Sequence, residues 1–392
     1  LPDEVNASLQ YQSSVDRQLL LFDTGEWLSL ETKGQHREPV RQLVSSRDEQ
    51  RPLYLNTSGI SVGKTGELLV VKEKKKIIQQ VRLREISQVN LLGAIQISTQ
   101  CVQTLMNLGI PLLYFSTGGW FYGMTESVGA KNILWRIEQH KSYASEKFCL
   151  SFARSIVYSK IFNQRTLLMR NHSHPPANVL SHLKKIATGL EQAQTMHQLL
   201  GQEGYAAKLY FKEFAGMIKA DTELPNQEQG TAEYQNVFTF KGRNRRPPRD
   251  GINALLSFGY SLLVKEMTIA CRGIGLDPYL GFYHQPRAGR ASLALDLMEP
   301  FRPLIVDSVV IKSINNRILK PGDFTSVGNA VNLKDLGRKK FIHCFESRMN
   351  ELVTHPLYGY RVSYRRIMEI QTRLLARLLM GELREYPEFV TR

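Results

Sequence analysis

Between Lys131 and Asn171 the chain contains neither proline nor glycine, and apolar residues return at helical intervals at Ile133, Ile137, Phe148, Phe152, Ile156 and Ile161. That spacing predicts a long helical stretch with one apolar stripe. Arg136, Lys141, Lys147, Arg154, Lys160, Arg165 and Arg170 occupy the polar positions between. Upstream the pattern is different. Short β-branched or apolar runs (Pro52–Leu55, Leu68–Val71, Lys76–Ile78, Ile86–Val89, Leu112–Phe115) are separated by Asn56-Thr57-Ser58-Gly59, Gly63 and Gly118-Gly119. Such runs and punctuation predict strands and turns. The fold class that follows is α+β and multidomain, with a small N-terminal β domain at 51–128 and a larger all-α domain at 129–392.

Further helices are expected at about Pro176–Leu200 and Glu203–Lys219, and a helix capped by Asp250 is expected to end near Gly273. Residues 220–251 read as a long loop, because Gly, Pro, Asn and Gln crowd there. The remainder reads as mostly helical, closing with a basic amphipathic helix from about Arg361 to Arg384. Residues 1–50 are polar and weakly periodic, which marks a linker or the tail of an upstream domain. The opening Leu1, in place of Met, reads as the start of a piece of a longer product.

Charge is divided unevenly. Residues 1–50 carry five Lys/Arg against nine Asp/Glu, so the formal +15 of the chain places +19 on residues 51–392. A surplus of that size favours a polyanionic partner, because bound Lys and Arg release the counterions condensed on phosphates. Cys101, Cys149, Cys271 and Cys344 form no CxxC pair, so no iron–sulfur cluster or thiolate zinc site is read within this chain. Scattered lone thiols suit a reducing cytoplasm. No apolar run of about 18 residues appears, so no membrane partner is expected.

Gly59-Ile60-Ser61-Val62-Gly63-Lys64-Thr65 imitates a phosphate-binding loop. It is one residue short, and a strand-like run follows where a helix N-terminus is required, so it reads as a hairpin.

Three segments carry candidate chemistry. Glu203 precedes Gly204 and the small pair Ala206-Ala207, at an expected helix start where an acid also suits the dipole. His284 closes the aromatic, glycine- and proline-bounded loop Gly281-Phe282-Tyr283-His284-Gln285-Pro286. Asp296 and Glu299 stand i and i+3 among Leu293, Leu295, Leu297, Met298 and Phe301, so both carboxylates face one way. Pairing of either acid with Arg302 or Arg290 is the structural alternative. Two carboxylates and an imidazole suit Mg²⁺ or Mn²⁺ better than zinc or copper. A rival group, His172, His174 and His182, lies around a proline-flanked loop without a nearby carboxylate.

These segments, in this order, resemble the CRISPR-associated integrase family, the spacer-acquisition enzyme of prokaryotic adaptive immunity. Pro52–Leu55, Ile110-Pro111-Leu112, Lys160–Arg165, Arg245–Pro248 with Asp250, Asn253–Tyr260 and Tyr386 share the likeness, which spans about residues 51–390. The resemblance implies that Glu203, His284 and Glu299 are the metal ligands, with Asp296 a neighbouring catalytic acid, in a catalytic all-α domain. It implies an endonuclease and integrase in which the 3′-hydroxyl of a short foreign DNA attacks a phosphodiester at the edge of the CRISPR repeat. The partners implied are prespacer and leader–repeat DNA, a second copy of the chain and a small ferredoxin-like adaptation subunit. Leu1-Pro2-Asp3-Glu4 resembles the residues that follow the last cluster cysteine of the iron–sulfur RecB-like adaptation nuclease, which some family members carry fused upstream. Arg243, Arg245, Arg246 and Arg249, crowding the loop before Asp250, are expected DNA contacts together with Lys160 and Arg165. The competing class is a basic scaffold that holds DNA ends and has lost its own chemistry.

Overall fold

The computed structural model describes residues 50–125, 127, 133–219, 237–244 and 247–391. The expectations for residues 1–49, for most of the 220–251 loop and for Arg245 and Arg246 lie outside the described residues. The described residues all belong to one compact unit.

The first part is built of strands β1 (Arg51–Leu55), β2 (Ser61–Thr65), β3 (Leu68–Glu73), β4 (Lys76–Arg82), β5 (Ile86–Leu92) and β6 (Gln96–Ile97), helix α1 (Thr99–Asn107), and strands β7 (Leu112–Phe115) and β8 (Phe121–Thr125). They make two four-stranded sheets, ordered β1-β5-β7-β8 and β4-β3-β2-β6. In the first sheet β5 runs parallel to both β1 and β7, and β8 closes the edge antiparallel. Successive side chains on a strand point to opposite faces. Leu91 and Leu112 accordingly join Val62, Leu69 and Leu105 in a core between sheets, while Leu92 and Leu113 join the core of the helices. That double burial explains the continuous apolar runs of these strands. The segment imitating a phosphate loop is strand β2, which turns at Gly66 (φ 55°) into antiparallel β3, with Lys64 exposed.

Helices follow: α2 (Ile133–Tyr143), α3 (Glu146–Asn171), α4 (Ala177–Gly189), α5 (Met196–Lys212), α6 (Gly251–Ile274), α7 (Ser292–Met298), a π-helical stretch at Arg302–Asp307, and α8 (Ser308–Asn315). A hairpin, β9 (Phe324–Val327) and β10 (Ala330–Leu333), then α9 (Asp335–Met349), a second hairpin, β11 (Leu352–Thr354) and β12 (Arg361–Ser363), and α10 (Tyr364–Leu379) complete the described chain. The α+β class expected from patterning is the one observed. Its central helix, α6, opens on the Asp250 carboxylate accepting from Asn253 N at 2.7 Å and stops at left-handed Gly275. By length and composition α6 could cross a membrane, but most of it is buried as a core helix, with Lys265 and Glu266 inside.

Several boundaries differ from the sequence reading. The stretch expected to be one helix from Lys131 breaks at Ala144-Ser145, where the Ser145 hydroxyl accepts from Phe148 N and starts α3 anew. Thr195 and Gln198 form a capping box that starts α5 at Met196. Glu203 is thus two turns inside a helix and does not open one. The two short hairpins fall where helix was expected; Gly328 (φ 59°) and Gly359 (φ 71°) take left-handed turns there. Arg361 belongs to β12, because Ser363 caps α10.

Sheet and helices meet over a buried ionic group. Lys265, fully buried, pairs with Glu266 and donates to the Tyr54 hydroxyl at 3.0 Å. Tyr54 donates to Glu346 at 2.6 Å and Gln88 to Glu266 at 2.8 Å. Arg365 bridges Glu266 and Glu346. Burial pushes the Glu266 carboxyl up, but Arg365 and Lys265 outweigh it and hold the group ionised. Removing one member of such a group leaves its partners charged and unpaired. Glu266→Ala should cost about 3–5 kcal/mol in guanidinium unfolding. Glu85→Ala, which breaks only the exposed 3.9 Å pair with Arg82, should cost less than about 1 kcal/mol. Similar losses for the two would show that this group does not join the layers.

Candidate active site

The Asp296 carboxylate, fully buried on α7, organises the loop opposite. Its Oδ2 accepts the backbone N–H groups of Phe282 (2.7 Å) and Tyr283 (2.9 Å). Its Oδ1 accepts the N–H of His284 (2.8 Å) and lies 2.7 Å from His284 Nδ1. A carboxylate accepts only, so Nδ1 carries a proton and donates it to Asp296, and Nε2 faces Glu299. Gly281 permits this approach: a Cβ there would stand 2.8 Å from Asp296 Oδ2 and 2.7 Å from the Ser292 backbone. Asp296 therefore has its oxygens committed to the loop and orients His284.

Glu299, directly after α7, is 3% exposed. Its Oε1 lies 3.0 Å from Arg302 Nε and 3.8 Å from His284 Nε2, and its Oε2 lies 2.7 Å from Lys160 Nζ. Oε2 has no partner at hydrogen-bonding angles, so charge and not directed bonding holds it. Burial pushes this carboxyl up, yet Arg302, Lys160 and His284 pull it down to about 2. Glu203, on α5, reaches the same ammonium and bonds Lys160 through Oε1. Burial pushes the Lys160 amine down, but Glu299 and Glu203 outweigh it, so the ammonium persists. Two acids from separate segments thus meet at one buried cation, with the His284 imidazole beside Glu299.

The surroundings fix these positions. Asn163, one turn beyond Lys160 on α3, donates to the carbonyls of Pro300 (3.0 Å) and Phe389 (2.9 Å) and accepts from Thr391 N (3.0 Å). It ties the residue after Glu299 to the C-terminal segment. The Arg302 guanidinium lies 4.6 Å from the centre of the Tyr260 ring. Tyr260 and Tyr210 both donate to Asp307, at 2.6 and 2.7 Å. Burial lifts Asp307 to about 6 against these hydroxyls.

The expected DNA contacts separate into different environments. Lys160 does not face solvent as a phosphate contact; it is the cation between Glu203 and Glu299. Arg165 is half-buried and donates to the Leu180 carbonyl at 3.1 Å, bracing α3 on α4. Arg243 is half-buried and donates to Asn253 (2.7 Å) and Ser257 (3.1 Å). Arg249 is exposed. Of the rival histidines, His172 packs on Gly216 and lies 3.8 Å from Glu213. The Glu299–Arg302 pair, one of the pairings the sequence offers, is present. The tyrosine layer behind Arg302 has no counterpart in the sequence pattern, because a tyrosine on a helix gives no local signal.

The donor set suits a hard divalent cation: two carboxylates from separate segments, gathered on one cationic nitrogen, with one imidazole beside Glu299. Among the described residues no three His, Cys, Asp or Glu side chains already stand as a ready cage. The Lys160 nitrogen takes the point where the carboxylates meet. The residues fit the ion by chemistry, with one lysine to be moved.

Residues 53–347 match the family described as CRISPR associated protein Cas1. A CRISPR-associated exonuclease Cas4/endonuclease Cas1 fusion from Geobacter sulfurreducens is 42% identical over 358 residues, covering 90% of this chain and 62% of the fusion. The chain thus spans about three-fifths of that relative. CRISPR-associated endonuclease Cas1 3 of Thermus thermophilus is 35% identical, covering 87% of this chain and 97% of the relative. A CAS1 protein from Thermotoga maritima shares the fold, with TM-score 0.72 at 21% identity over 86% of this chain and 99% of its own. The family pattern over most of the chain and the near-complete match to the Thermus protein establish that this chain belongs to the CRISPR-associated Cas1 family.

Proposed function

We propose that the chain is a divalent-metal-dependent DNA endonuclease and integrase that inserts short foreign DNA into a CRISPR array by transesterification. The observation that carries this reading is the convergence of Glu203 and Glu299 on one buried cation, with His284 Nε2 held alongside by Asp296. Mg²⁺ or Mn²⁺ held by these three residues would polarise a phosphodiester oxygen and stabilise the leaving alkoxide. The chain's own groups do the rest. Asp296 keeps the imidazole in one tautomer and one orientation. Arg302, braced on Tyr260, keeps Glu299 ionised in an apolar layer. The +19 carried by residues 51–392 draws the polyanion to the site.

The relatives fused to an exonuclease Cas4 support a nuclease domain as a partner, in this proposal the upstream iron–sulfur RecB-like nuclease. A second copy of the chain, a small ferredoxin-like subunit, and prespacer and leader–repeat DNA complete the proposed assembly, in the cytoplasm of a prokaryotic cell. An inert scaffold would have no need of a histidine held by its ring and its amide to one buried carboxylate.

Integration of labelled short DNA into a supercoiled repeat-bearing plasmid tests the reading. His284→Ala should abolish strand transfer while circular dichroism stays unchanged. Asp296→Asn replaces an acceptor by a donor against the loop amides and should lower the rate about 10- to 100-fold. Wild-type rates in either variant would remove the site from the chemistry.

The arginines give a separate expectation. Arg249→Ala should make the plot of log affinity against log salt shallower by about 0.9 on duplex DNA, the loss of one phosphate contact. Arg243→Ala should lower stability and leave that slope alone, since its guanidinium is spent on Asn253 and Ser257. A shallower slope for Arg243→Ala and an unchanged one for Arg249→Ala would reverse the assignment.

A further inference from the structure

Lys160 carries an inference that rests on the metal-dependent reading above. Its side chain is 11% exposed, and its nitrogen contacts Glu203 Oε1 and Glu299 Oε2 together. A nitrogen in contact with one oxygen from each acid asks of the protein what a small divalent ion would ask. Both cations in one such space would repel each other strongly at low effective dielectric. Arg302 lies on the other oxygen of Glu299 and is braced by Tyr260, so it is fixed. Lys160 instead is joined to α3 by a four-carbon stem with several rotatable bonds.

We infer that Lys160 is a tethered placeholder cation, which holds Glu203 and Glu299 together in the metal-free protein and is displaced when the divalent ion enters. The lysine then sets how tightly the metal binds. It also keeps the metal-free site from expanding under the repulsion of two buried carboxylates.

Mn²⁺ alone, titrated into the full chain and followed by the paramagnetic resonance of the free ion, tests this. Lys160→Met removes the charge at similar length and should bind Mn²⁺ about tenfold more tightly or better. Its melting temperature in chelator should fall below that of the wild type, and Mn²⁺ should restore it. Lys160→Arg keeps the charge and should not tighten binding. A purely structural lysine would lower melting with and without Mn²⁺ and leave the affinity unchanged, which would overturn the inference while the metal reading stood. Failure of wild type and variant alike to bind Mn²⁺ would remove the metal reading and this inference with it. The wild-type protein provides a measurement that needs no variant. Amine labelling of Lys160, read by mass spectrometry, should speed up when Mn²⁺ is added, and an unchanged rate at saturating Mn²⁺ would contradict displacement.

Discussion

A carboxylate buried as deeply as Glu299 cannot be left alone among Met298, Phe301 and Leu297, and the arrangement of the candidate site follows from that constraint. Burial opposes its ionisation, and Arg302, Lys160 and His284 together reverse the effect. Those groups come from three places in the chain: the π-helical stretch, the middle of α3 and the loop before α7. Each is secured by a different device. Tyr260 backs Arg302, Glu203 shares Lys160, and Asp296 grips the His284 imidazole and loop amides. The charge on Glu299 is therefore maintained by tertiary structure and not by neighbours in sequence alone.

The same logic separates roles that sequence spacing groups together. Asp296 and Glu299 stand one turn apart and both reach His284, but from opposite ring nitrogens. Asp296 spends its oxygens on the loop amides and the His284 ring; Glu299 turns Oε2 to Lys160 and Oε1 to Arg302. One carboxylate orients the imidazole and the other is held between cations. Asn163 adds a mechanical link, because its amide joins Pro300 to the last residues of the described chain.

Much of this was legible in the sequence, and the parts that were not share a cause. The strands could be read because double burial leaves continuous apolar runs, and α6 because Asp250 caps it. The helix break at Ser145 and the start of α5 at Thr195 depend on single polar side chains within otherwise helical patterns, where propensity is nearly neutral. Glu203 was named from its motif, yet its place inside α5 was hidden by that shifted start. Lys160 lay on the expected polar face of a long helix, and no local pattern distinguishes a solvated lysine from one buried between two acids 43 and 139 residues away. Arg243 and Arg249 sit six residues apart in one basic loop, and only the fold shows that one is spent internally and the other exposed.

The central claim is that Glu203, His284 and Glu299 share one divalent cation. A crystal soaked in Mn²⁺, with diffraction collected across the manganese absorption edge, measures it most directly. An anomalous peak is expected about 2.1 Å from oxygens of Glu203 and Glu299. His284 Nε2 should complete the contacts, and Lys160 Nζ should no longer lie between the acids. Saturating Mn²⁺ with no peak there, and Lys160 still bridging both carboxylates, would contradict it.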